Sequence, residues 1–376
     1  MIKRSDQKLE SNCMKSERFI TVDGHRFHYI WLRDNCLCPE CRDPNSYQKI
    51  YDISEAKSLP EPLSVVEEND KIIITCKEQP IHQSVFPISW LMAHANELKN
   101  PVESSKNIIL WNKAQLQKER TVRHEIHSDY DVWMNQLFSL GFTILENIKS
   151  MAELESFLCS IGPIHETYYG RFIAVKPIKG AEAVDLAFSS VGHPLSPHVD
   201  LTYLNVGRVV MFLYCEENNA SGGDSIVVDG YRVARDFRQN HPEYFNILAE
   251  TPVNFKQFDL HRQYYLYNKT PILKLNQKGE VIEVYFSHKN FKTNLTFDKV
   301  ESFYEAYKTF FKYLKSPDYQ YCFRLKAGDC LMVQNFRILH GRKAYDTKYG
   351  VRHLEGGFLD WEYFKGRKNF RQLKHL

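Results

Sequence analysis

The sequence predicts a mainly β protein with helical buttresses: a double-sheet jelly roll preceded by a small N-terminal β domain. Three observations carry this. Short strand-like runs dominate from Tyr169 onward, helical patterns interrupt them only twice, and residues 18–100 read as a separate set of short strands and turns.

The elements follow in order. Residues 1–17 form a tail. Arg18–Val22 leads to the turn Asp23-Gly24, and the alternation from His25 to Trp31 completes a hairpin. Lys71–Cys76 is a further strand. A helix starts across Pro87–His94 with Ser89 as its cap. The small domain is expected over 18–100, a polar linker over 101–126, and the larger domain over 127–376. There Ser128 caps a helix running to Leu140, and Gly141 ends it before the strand Phe142–Leu145. A helix over 151–161 stops at Gly162-Pro163. Strands are then expected over 208–214, 225–228, 264–267, 281–286, 321–325, 329–333 and 354–359, with helices near 230–240 and 298–314.

With 376 residues, 43% of them hydrophobic, the chain can fill a sizeable core. A net charge of +3 is too small to argue for nucleic acid or an anionic membrane as partner. No apolar run reaches the roughly 18 residues of a membrane span, and the N-terminus shows no signal peptide. Most of the nine cysteines stand singly in apolar contexts (Cys76, Cys159, Cys215, Cys322, Cys330), as reduced core thiols do, so the expected compartment is the cytoplasm.

Cys36-Leu-Cys38-Pro-Glu-Cys41 packs three thiols into six residues. Thiolates that close repel one another, and a zinc ion with a fourth ligand relieves the repulsion; His82, read in a loop before Trp90, is the best fourth candidate. The alternatives are a reduced cluster without metal or a disulfide. With no open coordination position, such a zinc site would be structural.

His198-Val-Asp200, together with His340, supplies two imidazoles and one carboxylate. Three such ligands occupy one face of an octahedral metal and leave the other open, which suits Fe(II) with a chelating co-substrate and O₂. Arg352, a dozen residues after His340, can clamp the distal carboxylate of 2-oxoglutarate through two parallel hydrogen bonds. Alone, an H-x-D pair is weak in a chain with 15 histidines. The plain alternative is that His198 caps a turn, His340 bonds a loop and Arg352 makes a salt bridge.

Further motifs appear in order: Trp31-Leu32-Arg33-Asp34-Asn35-Cys36, Tyr169-Gly170-Arg171, Gly222-Gly223-Asp224-Ser225, Val228-Asp229-Gly230, Leu339-His340-Gly341-Arg342 and Arg352-His353-Leu354-Glu355-Gly356. With them the chain resembles, from about residue 18 to its end, the γ-butyrobetaine dioxygenase and trimethyllysine dioxygenase family of 2-oxoglutarate oxygenases. His-Leu-Glu-Gly and the terminal Asp360-Trp361 lean toward the γ-butyrobetaine side. The resemblance implies a double-stranded β-helix catalytic domain, a small zinc domain, commonly a homodimer, and iron held by His198, Asp200 and His340. It also implies that Ser225 and Leu213 join Arg352 in the 2-oxoglutarate pocket, that the co-substrate is decarboxylated to succinate and CO₂, and that ascorbate serves as reductant.

Family members hold a quaternary ammonium in an aromatic cage. Tyr169 matches one wall. The expected tryptophan is Ile173 here unless Phe172 replaces it; Phe188 and Phe358 stand where tyrosines are expected. Asp185 replaces an asparagine that meets the substrate carboxylate, and His288 lies near another. The reading is thus a hydroxylase of a small zwitterion, γ-butyrobetaine or a close analogue. The alternatives are the same chemistry on trimethyllysine, an amino- or trimethylammonio-phosphonate or a specialised metabolite, or a non-catalytic jelly-roll protein that binds metal and ligand.

Overall fold

The computed structural model describes residues 18–99, 108–119, 122–176, 192–346, 348 and 350–373. The chain divides into two compact units, Met1–Lys106 and Asn107–Leu376, and is mainly β with packed helices. Among the described residues no helix is long and apolar enough to cross a membrane.

In the first unit β1 (Phe19–Val22) and β2 (His25–His28) form the expected hairpin. The alternation does not run on to Trp31, because α1 (Tyr29–Asp34) takes over. As a helix, this segment buries Leu32 in the small core and sets Trp31 against both Phe27 and Trp90. An antiparallel sheet follows, β3 (Pro62–Glu68), β4 (Lys71–Cys76) and β5 (His82–Pro87) in sequence order. Ile72, Ile74 and Cys76 alternate into the core, as a half-buried strand requires. α2 (Ile88–Lys99) starts directly after β5, so Ser89 lies inside its first turn and is not its cap.

The second unit opens with α3 (Lys113–Glu119), β6 (Arg123–Glu125), α4 (Tyr130–Leu140) and β7 (Phe142–Glu146). Residues 101–126 are therefore not a linker throughout, and the reason is a buried ion pair. Asp229 and Arg337, both fully buried, bond twice, at 2.9 and 3.1 Å. The second Asp229 oxygen also accepts from the Trp111 amide (3.1 Å), while Arg337 Nη2 donates to the Ile109 carbonyl (2.7 Å). With the Trp111 ring buried among core residues, these bonds fasten the segment to the unit. The cap of α4 is Asp129; the Ser128 hydroxyl bonds the Glu125 carbonyl instead.

Next come α5 (Met151–Ile161, capped by Ser150), β8 (Ile164–His165), β9 (Ile173–Val175), β10 (Leu195–His198), β11 (Val209–Asn218), β12 (Ser225–Asp229), α6 (Gly230–Asn240) and α7 (Pro242–Glu250). They are followed by β13 (Val253–Asp259), β14 (Tyr264–Thr270), β15 (Leu273–Leu275), β16 (Val281–Val284), β17 (Phe291–Lys292) and α8 (Phe297–Lys315). The chain ends with β18 (Tyr321–Phe323), β19 (Cys330–Gln334), β20 (Ile338–Arg342), β21 (Arg352–Asp360) and α9 (Trp361–Leu373).

Two sheets organise most of these strands, with β14-β13-β17 and β15-β16 as two smaller ones. The larger runs β6-β7-β19-β11-β21-β8, with β9 also on β21; the smaller runs β10-β20-β12-β18. The strand expected over 329–333 is β19; residues 335–337 separate it from β20, because β19 belongs to the larger sheet and β20 to the smaller. Met211, Leu331 and Val333 from one sheet and Ile226, Val228 and Leu339 from the other share a single core. Phe237 of α6, Phe245 of α7 and Phe310 of α8 close that core. On the other face of the larger sheet Val210, Phe212 and Met332 meet Trp133 of α4, Leu158 of α5 and Phe364 of α9.

Candidate active site and metal centres

The first candidate centre lies within the first unit. Cys36, Cys38 and Cys41 place their sulfurs 3.2, 3.9 and 3.6 Å from His82 Nε2. His82 opens β5, opposite Cys76, so it stands on a strand and not in the loop expected for it. Burial lowers the His82 imidazole below its ordinary value, which favours the neutral form a metal binds. Burial pushes the Cys41 thiol up to about 12, against the pull of Arg33. Arg33 is itself buried, donating to Cys41 Sγ (3.2 Å) and Glu78 (2.7 Å) beneath the ring of Tyr51 (3.5 Å). Three soft donors and one imidazole within 4.8 Å of one another fit a tetrahedral zinc ion. Arg33 then offsets the surplus negative charge of three thiolates.

The second centre lies within the second unit. β10 pairs antiparallel with β20 so that His198 faces His340 directly, ring centroids 4.5 Å apart. Asp200, two residues past the end of β10, sits 3.4 Å from Nε2 of each histidine. His198 Nδ1 is 2.9 Å from the Ser196 carbonyl; donating there leaves Nε2 as the lone-pair nitrogen facing the centre. Burial, then the charges of Lys289 and His340, push His198 down to about 4. Burial would raise the Asp200 carboxyl, but His340 and the hydrogen bonds from both imidazoles hold it well below the usual range. Two neutral imidazoles and one carboxylate on one side of an open space fit Fe(II).

The loop carrying Asp200 is fixed from outside. Val199 N donates to the Phe286 carbonyl (2.9 Å), and the Asn335 side chain bonds both the amide and the carbonyl of Asp200. Leu201 then adopts φ +58°, a left-handed conformation uncommon outside glycine, which turns the chain sharply after the ligand.

These ligands open onto a cavity of about 960 Å³, counting its mouth, whose lining includes Leu213, Ser225 and Arg352. Arg352 is only 4% exposed, and its Nε has no hydrogen-bond partner among the described residues. Burial, then neighbouring Arg342, pull its guanidinium down to about 10. A buried cation so placed favours an anionic ligand. Gly223, at φ +78°, leaves room for it: a Cβ there would lie 3.2 Å from Arg352 Cδ.

Tyr169 and Phe358 also line the cavity, as does Ile173. Phe172, read as a substitute cage wall, turns instead to the core, edge-on to Phe212, because alternate residues there face opposite ways. His288 is not among the lining residues either; it stacks on Phe311. Asp185 and Phe188 lie outside the described residues. Among the lining or supporting residues to which the sequence reading gave no role are Tyr203, Lys289, Arg342 and Asn335. Arg342 and Asn335 flank His340 at +2 and −5, the one signal that pointed to them.

Comparison with known proteins agrees with this geometry. The family model described as taurine catabolism dioxygenase TauD, TfdA matches residues 115–358. Over 359 residues the chain is 27% identical to γ-butyrobetaine dioxygenase of Homo sapiens, covering 90% of this chain and 89% of that one. It is 27% identical over 354 residues to γ-butyrobetaine dioxygenase of Pseudomonas sp. (strain AK-1), covering 89% and 87%. It is 24% identical over 349 residues to mitochondrial trimethyllysine dioxygenase of Bos taurus, covering 89% and 80%.

Proposed function

The chain belongs to the taurine catabolism dioxygenase TauD, TfdA family, and on that premise we propose an Fe(II)- and 2-oxoglutarate-dependent hydroxylase of a small zwitterion, γ-butyrobetaine or a close analogue. The observation that carries the reading is the His198–Asp200–His340 triad opening onto one cavity with the buried Arg352.

The roles follow from the chemistry of the side chains. His198, Asp200 and His340 would hold the iron, which supplies oxidation of a C–H bond by O₂ coupled to breakdown of 2-oxoglutarate to succinate and CO₂. Arg352 meets the distal carboxylate of the co-substrate, with the Ser225 hydroxyl beside it and Leu213 against its chain. The apolar lining, with Met211, Leu331 and Leu354, excludes water, so the reacting carbon is held in place and side reactions are suppressed. Tyr169, Tyr203 and Phe358 are the aromatic residues of the lining against which a methylated ammonium group would rest.

The same reading makes the paired sheets a double-stranded β-helix and the Cys36, Cys38, Cys41 and His82 cluster a structural zinc site in a zinc-binding domain. Ascorbate fits as reductant and the cytoplasm as compartment, in keeping with the free thiols of Cys76, Cys215 and Cys330. A homodimer is supported by the edge strand β14, which exposes Tyr265 and Tyr267.

Incubation with γ-butyrobetaine, Fe(II), 2-oxoglutarate, ascorbate and O₂ tests the reaction. Carnitine formed in step with succinate is the expected result. Succinate release unaffected by γ-butyrobetaine would remove it as substrate and turn attention to trimethyllysine and phosphonate analogues.

A further inference from the structure

Arg352 reaches the cavity past the connection between β11 and β12, residues 219–224. Gly223 is in close contact with it: a Cβ there would lie 3.2 Å from Arg352 Cδ and 3.2 Å from Tyr345 Cβ. The same connection holds the backbone just before Arg352. Asn219 N donates to the Val351 carbonyl (3.0 Å), and Asn219 Oδ1 accepts from the Val351 amide. The direction of the Arg352 side chain therefore depends on where this connection lies.

The connection has little stiffness of its own, because Gly222 and Gly223 bring no side chain to pack and stand at φ +82° and +78°. Arg324, the residue after β18, gathers it from outside. Its Nη1 donates to the Gly222 carbonyl (2.6 Å), and its Nη2 donates to the carbonyls of Ala220 (2.6 Å) and Asn218 (3.0 Å) and to Asn218 Oδ1 (3.2 Å). One guanidinium thus holds three alternate carbonyls, which a flat fork of donors suits and a compact ammonium does not. The clamp is itself anchored: the Arg324 carbonyl accepts from Arg123 Nη2 (2.8 Å), and Asn218 Nδ2 donates to the Leu325 carbonyl (2.8 Å). Arg324 is not among the residues lining the cavity, so it acts through the connection and not on a ligand.

We propose that Arg324 is a positioning residue: by holding the β11–β12 connection against Arg352, it sets the direction in which Arg352 presents its donors and so the preference of the cavity for an oxo acid with a distal carboxylate. This rests on the oxygenase reading, in which Arg352 meets that carboxylate. Two parallel hydrogen bonds to a carboxylate demand a fixed guanidinium plane, and a slack support forfeits them without removing any group that touches the ligand.

The test is equilibrium binding, without O₂, of 2-oxoglutarate and of 2-oxovalerate to the full chain supplied with Fe(II). The second acid keeps the oxo-carboxylate end and lacks the distal carboxylate. The wild-type chain should bind 2-oxoglutarate about 100-fold more tightly, as two charge-assisted hydrogen bonds allow. Arg324→Gln should cut that preference about tenfold or more, with the affinity for 2-oxovalerate kept. Arg324→Lys, which retains the charge but not the fork, should lose most of the preference as well. Because the readout is a ratio within each variant, a general loss of stability does not mimic the result. A full preference in Arg324→Gln, or one fully restored by lysine, would overturn the clamp while leaving the role of Arg352 intact. A wild-type chain that binds both acids equally would refute the oxygenase reading of Arg352, and the proposal with it.

Discussion

Asn335 grips Asp200 by its backbone: its Oδ1 accepts from the Asp200 amide and its Nδ2 donates to the Asp200 carbonyl, each at 2.9 Å. Five residues before His340, in the turn joining β19 to β20, it ties two parts of the triad that lie far apart in sequence.

Asn335→Ala should therefore weaken iron binding and turnover together. Loss of such supporting hydrogen bonds lowers metal affinity about 10- to 100-fold. The measurement is an Fe(II) titration of the variant beside a thermal melt. A stability loss of about 1–3 kcal/mol with unchanged iron affinity would reduce Asn335 to a structural role.

Arg352→Ala should raise the 2-oxoglutarate requirement about 100-fold, and that of the substrate far less, because two charge-assisted hydrogen bonds are lost. The pH dependence has a definite sign. Burial lowers the Arg352 guanidinium to about 10 in the folded chain, and 2-oxoglutarate binds only its charged form. Co-substrate affinity is then full below that value and falls as pH rises through it. Kd for 2-oxoglutarate measured from pH 7 to 10.5 checks this, and a flat profile would contradict the role.

Cys38→Ser should abolish zinc retention and unfold the first unit at lower denaturant, while iron affinity of the second unit stays the same. Zinc affinity of the wild-type chain should fall as pH falls, since Cys41, raised to about 12 by burial, must lose its proton to bind metal. Metal analysis after dialysis at graded pH reads both effects. Equal loss of zinc and iron in the variant would refute two independent centres.

Asp229→Ala should destabilise the second unit by about 3–5 kcal/mol, because it strands the fully buried Arg337 and frees the Trp111 segment. Equilibrium unfolding in urea measures it.

What the sequence revealed and what it hid have physical causes. The triad and Arg352 were legible because each stands in a short local motif of chemically distinctive residues. α5 and α6 were legible because their periodicity and end signals are strong. The membership of residues 107–126 was hidden, since it depends on Asp229 and Arg337, more than 100 positions away. The strand β20 was hidden because β19 and β20 are both buried and apolar, so no alternation marks a second strand after the first or the change of sheet between them. The substrate wall was the least legible. Phe172 and Ile173 differ by a single position, and one step along an extended chain reverses which side chain faces the cavity; His288 and Lys289 stand in a turn, where no such alternation marks which of them lines the cavity. α9 carries few apolar positions and shows only once Trp361 and Phe364 are seen against the larger sheet.

The central claim is that His198, Asp200 and His340 together hold a working iron for 2-oxoglutarate turnover. The most direct measurement is succinate release under O₂ by the wild-type chain and by Asp200→Ala, with iron content determined on the same samples. The expected result is iron-dependent succinate formation in the wild type that falls at least 1,000-fold in the variant, about 4 kcal/mol of barrier, along with its iron. Succinate formation that persists in Asp200→Ala, or a wild-type chain that binds iron and 2-oxoglutarate yet releases none, would contradict it.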